Sequence, residues 1–95
     1  MHLIQIYFRL VIGQAKYTKT IWVESVPKAG ELLKVAQSSF IVTEVEHDLD
    51  AYENEEFKHG SFCITVKAKI NDAVYSLEDR PSVVGEVMRA GWKGK

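Results

Sequence analysis

Between Glu44 and Glu56 the sequence EVEHDLDAYENEE carries seven carboxylates and no lysine or arginine. Asp48, Asp50, Glu53, Glu55 and Glu56 offer hard oxygen ligands of the kind calcium and magnesium take. The run opens D-x-D, but an EF-hand loop needs a third ligand at position five and glycine at six. Tyr52 and Glu53 stand there, so the pattern predicts no metal site. A second chemistry for such a run is mimicry of phosphates on a basic partner. Mimics carry a large net negative charge, and this chain carries -1. The run therefore reads as a solvated loop. Two aromatic residues, Tyr52 and Phe57, are unusual passengers on it. They anchor it to a core or mark a contact surface, which makes Asp48, Asp50, Tyr52, Glu53, Glu55, Glu56 and Phe57 the candidate contacts for a protein partner with a basic surface.

His47, His59 and Cys63 fall close to the acidic run, but their x11 and x3 spacings are not those of a zinc site. A His47–Asp48 or His59–Glu56 acid/base pair would require a geometry that sequence proximity does not supply. The chain has no phosphate-cradling glycine loop, no G-x-S-x-G, no CxxC and no HExxH. No catalytic residue, metal ligand or cofactor is predicted, and the chain reads as a non-enzyme. Lys67 and Lys69 share one strand face, and Arg89, Lys93 and Lys95 surround Trp92, which is the raw material of a single-strand nucleic-acid site. The isoelectric point near 6.3 argues against that use.

Charge is laid out in blocks. Residues 1–43 carry +3, residues 44–56 carry -7 and residues 57–95 carry +3, counting Lys and Arg against Asp and Glu. Such a layout favours oriented association with a charged partner or a second copy.

The elements that must position these residues are mostly strands. In HLIQIYFRLVI, Ile4, Ile6, Phe8, Leu10 and Ile12 share one face of an extended segment, with Leu3, Gln5, Tyr7, Arg9 and Val11 on the other. YTKTIWVESV alternates Tyr17, Lys19, Ile21 and Val23 against Thr18, Thr20, Trp22 and Glu24, and should pair with the first strand. Pro27 stops it. A short strand over 31–35, the connection AQSS, and the strand FIVTEVEH follow. The last alternates Phe40, Val42 and Glu44 against Ile41, Thr43, Val45 and His47. SFCITVKAKI places Phe62, Ile64, Val66, Ala68 and Ile70 inward and Thr65, Lys67 and Lys69 in water. Asn71-Asp72 is turn chemistry, and AVYSL is a candidate short strand. The end changes character. Ser82 can cap a short helix, Val83/Val87 and Val84/Met88 are spaced i, i+4, and Gly91 stands where a helix-terminating glycine belongs. That helix is expected to pack Val84, Val87 and Met88 on the sheet, with Trp92 closing one edge.

Ninety-five residues with 46% hydrophobic content make one globular domain. The single Cys63 can form no disulfide within the chain, which suits a reducing interior. The N-terminus lacks the basic lead and cleavage site of a signal peptide, and no apolar run reaches a membrane span. The reading is a cytoplasmic protein without membrane contact.

The passage VPKAGELLKVAQSSFIVTEVEHDLD, residues 26–50, has a turn ending in glycine and an acid, a short strand, a tight connection and an aromatic-led strand continuing as V-x-x-V. It resembles the middle strands of small SH3-like β-barrels, including small proteins of bacteria, phages and mobile gene cassettes. The resemblance implies a compact, strongly bent barrel that binds on its loops or an edge.

The expected fold is mainly β: a curved antiparallel sheet or small barrel of five or six strands with one short C-terminal helix. One helix cannot cover both faces of the first strand. Its second face, with Leu3, Tyr7, Arg9 and Val11, is then an exposed apolar patch, and a symmetric partner is the usual solution. The favoured function is a homo-oligomeric interaction or assembly protein, an accessory of a phage or mobile element. A nucleic-acid-associated barrel is the alternative. A third class is a small-molecule site at a subunit interface, lined by Trp22, Tyr52, Phe57 and Tyr75.

The acidic run generates one prediction. Calorimetry is expected to detect no micromolar calcium or magnesium binding. Tight binding that disappears in Asp48→Asn and Asp50→Asn would overturn the reading.

Overall fold

The computed structural model describes residues 3–48 and 64–94. Its strands are β1 (Ile4–Ile12), β2 (Ala15–Val23), β3 (Leu32–Val35), β4 (Ser38–His47), β5 (Ile64–Ile70) and β6 (Lys93–Gly94). A 3-10 turn over Leu77–Asp79 leads into one helix, α1 (Arg80–Arg89). The strands form one sheet in the order β3-β4-β5-β1-β2-β6. The sheet is curled into a half-barrel, with mainly β content and a short C-terminal helix. One central pair departs from the antiparallel pattern: β5 lies parallel to β1, with Tyr7 opposite Thr65 and Val11 opposite Lys69. The sheet is therefore mixed. Period-2 alternation reports which face a side chain takes, not the direction of the neighbouring strand.

Alternation explains the core. Ile6, Phe8, Leu10 and Ile12 of β1 are buried, as are Ile64, Val66, Ala68 and Ile70 of β5 and Tyr17 of β2. Ile4, Ile21 and Val23 pack against this cluster from partly buried positions. β1 and β2 join through a two-residue loop whose first position, Gly13, has φ 65, the left-handed region where glycine carries no Cβ penalty.

β4 obeys the expected alternation only as far as Val42. A register shift between Val42 and Glu44 leaves Thr43 as the extra residue of a bulge. Beyond it the phase is inverted. Val45 pairs with buried Val66 and packs on the core, while Glu44 faces Lys67 on the other side. The grouping of Glu44 with Phe40 and Val42 is thus corrected, because a bulge re-aims every later side chain. The bulged Thr43 hydroxyl donates to the Lys67 carbonyl at 3.2 Å.

The connection to β4 is also tighter than AQSS suggests. Val35 pairs with Ser38, leaving only Ala36 and Gln37 in the loop, at φ 49 and φ 70. Two consecutive positive-φ residues match a type I′ hairpin turn, which ordinarily selects Asn-Gly. After β5, AVYSL forms no strand. Asn71 is buried; its carboxamide oxygen accepts from the Ala73 amide at 3.2 Å and its nitrogen donates to Ser39 Oγ at 3.3 Å. The Ser39 amide donates to the Tyr75 hydroxyl at 3.1 Å, which holds this turn against β4.

The helical region begins earlier than Ser82. Ser76 donates its amide and its hydroxyl to Asp79 Oδ2, at 2.9 and 3.1 Å, and Pro81 occupies the first turn of α1. The inward face of α1 is Val83 and Val87, with Val84 partly buried. Met88 is 56% exposed, which corrects its expected place on the sheet. Trp92 packs on the sheet, as its expected place closing one edge requires. Gly91 at φ 97 reverses the chain, and Trp92 folds back to meet Phe8 edge-on, with ring centroids 6.5 Å apart. Lys19, on the core-facing side of β2, donates from Nζ to the Ala90 carbonyl at 2.7 Å, placing a cation at the helix C-terminus.

Trp92→Ala is expected to cost about 3–5 kcal/mol in urea unfolding. Met88→Ala should stay within about 0.5 kcal/mol. Equal losses would contradict the packing described. Converting Ala36-Gln37 to Asn-Gly should stabilise the fold by about 1–2 kcal/mol, since a non-glycine left-handed residue costs about that much. A lower unfolding midpoint in that double variant would rule out the turn assignment.

Candidate interaction surface

Because α1 and the core occupy one side of the sheet, the other side presents whatever the alternation leaves. Register builds this outer face row by row. Gln5 stands beside Trp22, and Tyr7 beside Thr20 and Thr65, with Glu46 next in line. Arg9 lies between Thr18 and Lys67, with Glu44 beyond. Val11 lies between Lys16 and Lys69, and Ile41 and Leu32 extend that row to the β3 edge.

Of the expected interface residues, Tyr7, Arg9 and Val11 share this face and are partly buried, and Leu3, at the end of β1, is 51% exposed. Trp22 and Leu32 add large apolar groups at 58% and 65% exposure. Pattern reading placed Trp22 on this side of β2 but assigned it to a pocket. Leu32 belongs to the short strand expected over 31–35, for which alternation alone names no face. The signal for both was the alternation itself, once the register is known.

Electrostatics here are lopsided. Five cations, Arg9, Lys16, Lys34, Lys67 and Lys69, share the face with two carboxylates, Glu44 and Glu46. Lys67 reaches Glu44 at 3.5 Å. Both side chains are partly exposed, so the pair is worth about 1 kcal/mol or less. Arg9 stands directly beside Lys67, a cation beside a cation, and its Nε is buried with no hydrogen-bond partner among the described residues. Grouping Arg9 with Lys67 was beyond sequence reading, because the parallel β1–β5 pair that joins them is long-range.

Other candidates separate. Asp48 and His47 are exposed at the end of β4. Asp50, Tyr52, Glu53, Glu55, Glu56 and Phe57, with His59 and Cys63, lie outside the described residues. No group of three or more metal-capable side chains forms among the described residues. The basic cluster around Trp92 is not a stacking site: Trp92 is 4% exposed, and Arg89 pairs with Glu86. Trp22 and Tyr75 do not share a pocket. Trp22 lies on β2 and Tyr75 is bonded to β4, three strands away in the sheet order. Tyr75 instead borders a cavity of about 290 Å³ between the β3–β4 turn and α1, with Ser38, Asp79, Ser82 and Glu86 in its wall. A second cavity, of about 200 Å³, opens between the inner sides of β2 and β3. No helix among the described residues is long and apolar enough to cross a membrane. Comparison with protein-family models, curated proteins and solved structures finds no significant match to this chain.

Proposed function

We propose that the chain is a non-catalytic interaction protein that assembles with copies of itself through the outer face of its sheet. The observation that supports this most directly is Arg9. Its guanidinium sits at the centre of the face, beside Lys67, with a buried Nε and no acceptor among the described residues. An unsatisfied buried donor costs about 1–3 kcal/mol, more when charged. A carbonyl or carboxylate from an apposed surface would remove that cost. Around it, Leu3, Tyr7 and Val11, with Trp22 beside the row, provide the apolar contact area that a symmetric interface needs. The negative block at 44–56 gives a second copy a charge complementary to the basic rows. The likeness of residues 26–50 to small barrels of phages and gene cassettes suits an accessory role in a phage or mobile element, and the lone cysteine suits a cytoplasmic one.

One further reading has its own observation. Arg9, Lys16, Lys67 and Lys69 share an open face with Tyr7 and Trp22, an arrangement that single-stranded nucleic acid could use. Glu44 and Glu46 in the same rows weaken it.

Light scattering behind size exclusion is expected to show a dimer or larger symmetric oligomer. Tyr7→Glu should weaken association on the order of a hundredfold or more by burying an unpaired charge, and Arg9→Met should weaken it with the fold intact. A wild-type monomer at high micromolar concentration would overturn assembly. Retention on single-stranded DNA that falls steeply with salt would favour the second reading.

A further inference from the structure

The cavity between the β3–β4 turn and α1 belongs to neither the outer face nor the assembly reading. Helical spacing builds one wall of it. Asp79, Ser82, Val83 and Glu86 stand at i, i+3, i+4 and i+7, so one face of the helical region borders the cavity. Opposite them lie Gln37 and Ser38, in the turn and at the start of β4. The lining is graded by depth. Ser38 and Val83 are buried at the floor, Tyr75 is half-buried at the side, and Asp79, Ser82 and Glu86 are exposed at the rim. The volume is about 290 Å³. An apolar cavity of about 150 Å³ holds benzene, so this one takes a body of roughly twelve heavy atoms.

Ser38 is the residue that points to a ligand. It shares the inward face of β4 with Phe40 and Val42 and is 6% exposed, yet its hydroxyl has no hydrogen-bond partner among the described residues. A buried polar group without a partner is costly, and a polar ligand in the cavity would remove that cost. The rest of the lining selects the ligand. Tyr75 Oη accepts from the Ser39 amide, which leaves its own proton to donate. Asp79 Oδ2 accepts from Ser76 and Glu86 Oε1 from Arg89, which leaves one oxygen on each carboxylate. No lysine or arginine lines the cavity among the described residues. Carboxylates at the rim with hydroxyls beneath them favour a cation that also forms hydrogen bonds. Two carboxylates fall short of the roughly six oxygens a calcium ion takes, which favours an organic cation. We propose that this cavity binds a small hydroxylated amine of the amino-sugar class, with its ammonium at Asp79 and Glu86 and a hydroxyl on Ser38.

The test follows backbone amides of the whole chain by NMR. Titration with glucosamine at about pH 6, where carboxylates are ionised and an amine is protonated, is expected to shift Gln37, Ser38 and Ser82 saturably. The Kd should be on the order of 1 mM for a ligand of about twelve heavy atoms. Glucose, the same ring with a hydroxyl in place of the ammonium, should bind about fivefold more weakly, as expected for exposed ion pairs. Glu86→Gln should narrow that gap. Ser38→Ala should weaken glucosamine binding about threefold or more without lowering the urea midpoint, because the hydroxyl it removes has no partner in the free protein. Ser82→Phe, at an exposed helical position, should block the cavity and abolish the shifts. No saturable shift up to about 20 mM, well beyond the Kd expected for this size, overturns the site, as does binding that survives Ser82→Phe in a folded protein. Equal affinity for glucosamine and glucose overturns the assignment to a cation. Unchanged binding in Ser38→Ala overturns the place given to its hydroxyl.

Discussion

The side chains of β1 alternate, so burying Ile6, Phe8, Leu10 and Ile12 sends Gln5, Tyr7, Arg9 and Val11 to the opposite side of the sheet. That constraint organises the molecule. Each large buried side chain contributes about 1.5–3 kcal/mol, so the inner face of β1 is not negotiable. β1 also has a strand on each side, β2 and β5, which makes it the centre from which the rest is placed. The chain has one helix among its described residues, and it is committed to the inner side through Val83 and Val87. The outer side is left with a mixture of apolar residues, cations that outnumber the carboxylates among the described residues, and a scatter of threonines.

Irregular backbone completes what the strands cannot. The Thr43 bulge lets one strand keep Phe40, Val42 and Val45 against the core while Glu44 crosses to meet Lys67. A strand without it would have to bury Glu44 or expose Val45. The reversal at Gly91 does the same for the helix. It brings Trp92 to Phe8, a larger contact than Met88 could make from the helix surface. Lys19 follows from that arrangement. It lies among core-facing neighbours on β2, and its ammonium is accommodated because the helix ends close enough for the Ala90 carbonyl to accept a hydrogen bond from it.

The half-barrel has two kinds of unfinished surface with different chemistries. The outer face is basic at its centre and carries Tyr7, Val11, Trp22 and Leu32 around it. The cavity between β2 and β3 is small, partly open and lined by apolar side chains. They lie on opposite sides of β1 and β2.

How much of this was legible from sequence depends on the range of the interaction. The inward faces of β1, β2 and β5 were readable because period-2 alternation is local, and so was a helix ending near Gly91. The Asn71 turn was readable too, since its side chain bonds an amide two residues on. The Thr43 bulge was not: its cause is the register against β5, some 24 residues away, and nothing in TEVE distinguishes it from a regular strand. The Ala36-Gln37 turn was hidden because its residues lack the usual signature and are held by the β3–β4 pairing. The outer face as a composition was determined by the sequence alone. That Arg9 stands beside Lys67, that Met88 stays outside the core, and that β2 and β3 border a partly open cavity were decided only by tertiary structure, because each rests on contacts between segments distant along the chain.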